Sequence, residues 1–111
     1  MNLYRLEIPL GIYYKPVDQS TSQTVVVGVP GKRIVVISAS IIVSANVILQ
    51  WFTSTGLVEL TGPQSITQTG GYILPGNFGG WFQTAFGDSL VLNMSPNTMI
   101  GGCISYVLDG P

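Results

Sequence analysis

From Thr24 onward the chain is cut into short β-branched or aromatic runs, each closed by turn chemistry, and this punctuation limits the folds open to it. "TVVVGV" ends at Pro30-Gly31, "KRIVVISASIIV" at Ser44 to Asn46, "NVILQWFTS" near Thr55-Gly56, and "LVEL" at Gly62-Pro63. "QSITQ", "YIL", "WFQTAF" and "SLVLNM" follow in the same manner, and "TMIGGCISYVL" closes the series. Val, Ile and aromatic side chains favour strands because they are stiff at χ1 and pack well on a pleated surface. Turn signals about every 8 to 12 residues are the spacing of an all-β sandwich or barrel. No window carries the i, i+3, i+4, i+7 apolar stripe of a helix. About eight antiparallel strands are expected.

Alternation assigns faces within these runs. Leu90, Leu92 and Met94 oppose Ser89, Val91 and Asn93, whereas Val47, Leu49 and Trp51 oppose Ile48, Gln50 and Phe52. The second run is apolar on both faces, which predicts a central strand or one covered by a partner. The short turn at Ser44 to Asn46 predicts a hairpin between Lys32–Val43 and Val47–Thr53. Pro96-Asn97 predicts another hairpin between the last two runs. Gly101-Gly102 predicts a bulge, or a large side chain such as Trp51 or Trp81 lying over the glycines.

Residues 1–22 differ from the rest in holding two prolines and the polar "DQSTSQ" run. They read as an N-terminal arm and linker ahead of a β-sandwich domain at 23–111, with a short strand at Leu3 to Ile8. An ordinary edge strand plus loop is the competing reading. The N-terminus shows no basic region followed by an apolar core and a cleavage site, so no secretory signal is expected.

Between Arg33 and Glu59 there is no charge at all. The stretch is long enough to span a bilayer as a helix, and Lys32-Arg33 would suit its flank. Its β-branched composition and the interruptions at Ser38, Ser40, Ser44, Asn46 and Gln50 favour strands instead, so no membrane partner is expected.

Composition then removes function classes. The 111 residues include no histidine and one cysteine, so neither a zinc cluster nor an internal disulfide framework can be assembled. Four basic and five acidic residues give a net charge of −1, without the basic face that nucleic-acid binding needs. Catalysis by paired carboxylates is disfavoured, because Asp18, Asp88 and Asp109 sit in turn-like or terminal contexts. Cys103 reads as a small buried hydrophobe without a base to activate it. No enzyme, cofactor or metal is therefore expected. A charged content of 8% against 46% hydrophobic residues points to a surface partly covered by partners or symmetry mates. Trp51, Trp81 and the tyrosines could also stack on sugar rings.

The run "GKRIVVISASIIVSANVILQWFTSTG…LTGPQSITQTGGYILP…GGWFQTAFGDSLVLNMSPNTMIGGCISYVL" resembles small β-sandwich proteins encoded among the structural genes of tailed bacteriophages. The shared pattern is a "GK-R-I" opening, an "LTGP" turn, a "GW-F-T-GDSL-L" corner and a final "GG---YV" strand, over about Gly31 to Leu108. The resemblance implies a jelly-roll capsid cement or decoration protein, often trimeric, bound on the outer capsid surface of the virion and clamping neighbouring major capsid subunits. With it come an expected subunit interface at Trp51, Phe78, Trp81 and Phe82 and an expected capsid-binding arm with Tyr4, Arg5, Leu6, Ile8, Tyr13 and Tyr14. Two other classes stay open: a glycan-binding or tail-fibre module for host attachment, and a small membrane protein.

Overall fold

The structure is a computed structural model that describes residues 11–110. It is all-β, with ten strands and one 3₁₀ turn at Thr55–Leu57. The strands are β1 (Ile12–Gln19), β2 (Gln23–Val26), β3 (Arg33–Val43), β4 (Val47–Thr53), β5 (Val58–Glu59), β6 (Gln64–Ile66), β7 (Gly71–Leu74), β8 (Phe82–Gln83), β9 (Leu90–Ser95) and β10 (Ile100–Asp109). All pair antiparallel in two sheets. The first runs β1-β10-β3-β7, with β8 also on β3; the second runs β2-β9-β4-β5, with β6 also on β4.

The two sheets pack face to face as a β-sandwich. Inward positions alternate as period-2 strands require: Leu90, Leu92 and Met94 of β9 lie against Val47, Leu49 and Trp51 of β4, and all six are buried. Ile34, Val36, Ile41 and Val43 of β3 and Ile104 of β10 supply the opposing layer. β3 and β4, which carry most of the uncharged run, sit centrally in their sheets, with Ile42 and Ile48 left exposed on the outward faces.

Both expected hairpins are corrected by this topology. β3 belongs to the first sheet and β4 to the second, and β9 and β10 are likewise split. Short, turn-rich connections here carry the chain from one layer to the other. The two corners support each other: the Ser44 amide donates to the Met99 carbonyl at 3.1 Å, and the Ser44 and Thr98 hydroxyls lie 3.1 Å apart.

Residues 12–19, grouped with the arm in the sequence reading, form the edge strand β1. Ile12 pairs with Val107 and Gln19 with Ile100, so the first and last described strands are neighbours. Gln19 is buried, and its amide donates across to the Leu92 carbonyl of the second sheet at 3.2 Å.

The glycine pair in β10 also differs from expectation. The register shift in that strand falls between Ser105 and Tyr106, and no tryptophan covers the glycines. Gly102 has φ +146°, and a Cβ there would collide with the Ser40 carbonyl oxygen, so close approach of β3 is its reason. At Gly101 an added Cβ would meet open space.

Candidate interaction surfaces

Four side chains were expected at a subunit interface, and the fold separates them into two pairs. Trp51 is 0% exposed: it fills the core, its ring 5.5 Å from that of Phe82. Its indole N–H donates to the Tyr72 hydroxyl at 2.9 Å, which donates in turn to the Gln64 amide oxygen at 3.0 Å. This relay crosses from the second sheet to the first and back. It satisfies each polar atom that burial has taken from water, and the desolvation raises the Tyr72 pKa above its ordinary value. Trp51 therefore cannot contact another subunit, because the inward face of β4 leaves it no path to the surface. Phe82, half-buried against it, is the outer wall of the same cluster.

Phe78 and Trp81 remain at the surface, on the turn between β7 and β8. Phe78 is 80% exposed and Trp81 43%. The Trp81 amide donates to Val36 at 2.8 Å, and its indole N–H donates to the Pro75 carbonyl, also at 2.8 Å. The ring is thus held in one orientation while much of it faces solvent. Of the expected arm residues, Tyr13 and Tyr14 are exposed on β1, Tyr13 stacking on Tyr106 with ring centres 5.5 Å apart. Tyr4, Arg5, Leu6 and Ile8 lie outside the described residues.

The outer face of the first sheet was not singled out by the sequence. Cross-strand pairing lines up Asp18, Gly101, Ile42 and Gly71 in one row, and Pro16, Cys103, Ser40 and Ile73 in the next. Ser105 and Ser38 are hydrogen-bonded to each other in the third row, beside Tyr14. Ile42, Ile73 and Tyr14 are strongly exposed, and Asp18 is the one charge in these rows. The centre of the face carries only small side chains, from Gly, Ser and Cys. Cys103, expected in the core, is exposed there, since Gly102 and Ile104 take the flanking alternate positions.

A cleft opens between the edge strands β5 and β8. Its larger part, about 690 Å³, lies beside Arg33, Val58 and Phe86; the remainder, about 430 Å³, lies beside Glu59 and Trp81. The two parts are adjoining hollows that share Leu60 and Gln83 in their linings. Arg33 is engaged: its guanidinium holds Asp109 at 2.8 Å and sits 5.1 Å from the Phe86 ring centre.

At the base of this cleft Asp88 closes the corner that "GDSL" predicts. Its carboxylate accepts from the Thr53 hydroxyl at 2.6 Å, the Thr55 hydroxyl at 2.6 Å and the Thr55 amide at 3.0 Å. Those donors, Thr53 foremost, pull its pKa below the usual carboxylate value against the opposing effect of burial. Three internal donors occupy both carboxylate oxygens, so Asp88 is a fastening of the fold. Among the described residues no group of three or more His, Cys, Asp or Glu side chains is placed to hold a metal ion. Comparison with protein-family models, curated proteins and solved structures finds no match for the chain.

Proposed function

We propose that this domain is a non-enzymatic virion structural protein, a capsid cement or decoration protein. In this reading it binds the outer capsid surface as a homotrimer and bridges neighbouring major capsid subunits. The observation that carries the proposal is the outer face of the first sheet, where Ile42, Ile73 and Tyr14 stand exposed around a centre of small side chains. Covering such a face gains roughly 25 cal/mol for each Å² of apolar area removed from water. Exposed apolar side chains and low charge suit contact with another protein, and Gly101 leaves room that the fold itself does not use.

Strand order gives further support. Each sheet interleaves early and late strands, β1-β10-β3-β7 and β2-β9-β4-β5. That is the order a jelly roll produces when two Greek keys wrap into facing sheets, with β5 and β6, and β7 and β8, each taken as one interrupted strand. Tyr4, Arg5, Leu6 and Ile8 keep the proposed role of a capsid-binding arm.

Cosedimentation with phage particles stripped of the protein tests the proposal. The wild-type chain should pellet with the particles and run as a trimer by light scattering. Ile42→Lys combined with Ile73→Lys should lower particle binding at least tenfold while leaving the melting temperature within a few degrees, since both side chains point outward. Undiminished binding by the double variant removes the outer face from the proposal, and no binding by the wild type removes the capsid.

A further inference from the structure

We infer that the cleft between β5 and β8 is a binding site for a neutral oligosaccharide of several rings. The cleft joins two aromatic side chains, Trp81 in one part and Phe86 in the other, through the shared lining of Leu60 and Gln83. Both rings are strongly solvent-exposed, and each is fixed from behind: Trp81 by its hydrogen bond to Pro75, Phe86 by the Arg33 guanidinium. An aromatic ring held in place and open to water is a platform for the C–H face of a sugar, which gains apolar contact there without ordering a mobile side chain.

The polar groups between the platforms suit hydroxyls. The Gln83 amide and the Glu59 carboxylate line the cleft, both are exposed, and neither has a side-chain hydrogen bond within the protein. An amide offers donor and acceptor together, and a carboxylate accepts from two hydroxyls, so the pair can meet the vicinal diol of a ring. The charge is wrong for an anionic ligand. Arg33 is neutralised by Asp109, and Glu59 would repel a sulfate or uronate. The cleft's extent, with a platform in each part, calls for a chain of rings. A single ring would touch one platform and forfeit the second. This site lies apart from the outer face of the first sheet and does not depend on capsid docking.

Titration of the purified chain with chitohexaose, cellohexaose and maltohexaose, followed by tryptophan fluorescence and calorimetry, tests the site. Trp51 is sealed in the core, so a change in iodide quenching on adding sugar reports Trp81. At least one of the three should bind saturably and shield Trp81. Trp81→Ala and Phe86→Ala should each weaken that binding at least tenfold, Gln83→Ala severalfold, and Trp81→Phe should retain most of it. Melting curves of the same variants check folding, which Trp81→Phe and Gln83→Ala preserve because neither side chain belongs to the core. Absence of binding by all three sugars overturns the inference, as does binding that survives both Trp81→Ala and Phe86→Ala unchanged.

Discussion

At the scale of single residues, three of the chain's nine charges, Arg33, Asp88 and Asp109, fasten the fold. Arg33 is bound to Asp109, and Asp88 is bound to Thr53 and Thr55. The Asp88 pKa is depressed in the folded state, so its contribution is present above the unfolded carboxylate value of about 3.9 and is lost as pH falls through the lower folded value. Asp88→Asn should therefore reduce stability at pH 7 by about 2 kcal/mol, and urea titrations of both proteins should show a smaller gap at a pH well below the ordinary carboxylate value. A gap of the same size at both pH values would rule out the carboxylate as its source. The placement of Asp88 was legible: Gly87-Asp88 opens a strand in the sequence as it does in the fold. The fate of Cys103 was not, because a lone cysteine beside two glycines carries no alternation from which to read its face.

At the scale of elements, strand positions were legible to within a few residues, and Val47–Thr53 appears with the bounds its pattern predicts. Pairing was not legible. Period-2 alternation tells which side chains share a face, but a three-residue turn has the same chemistry whether the chain returns beside itself or steps to the opposite layer. The same ambiguity hid the role of Trp51. Apolar residues on both faces of β4 offered an outward and an inward tryptophan equally, and only the neighbours Phe82 and Tyr72, brought from the other sheet, decide it. The two layer-crossing corners act together through Ser44 and Thr98. Ser44→Ala and Thr98→Ala should each cost less than about 1 kcal/mol, being exposed, yet a double-mutant cycle should return a coupling on the order of 0.5 kcal/mol. Strict additivity in denaturant melts would mean that the corners are fixed independently.

At the scale of the whole molecule, the surface divides into a sheet face with a single charge, an aromatic-ended cleft and loops held by hydroxyl and amide groups. Low charge in the sequence announced that such apolar area would exist. It could not announce where, since Ile42 and Ile73 lie about thirty residues apart and come into neighbouring rows only because β3 and β7 are adjacent. The same interleaving has a temporal side. β10 lies between β1 and β3, and β9 between β2 and β4, so the last two strands of the domain in chain order complete the interior of both sheets. A nascent chain stopped at Pro96 has β1 without any partner and one side of β3 open, and such bare edges recruit other chains. Truncation after residue 96 should thus yield aggregated protein lacking cooperative melting, while soluble, cooperatively melting material would show that β10 is dispensable. Folding of the domain therefore waits until β10 has been made, however early the other strands are complete.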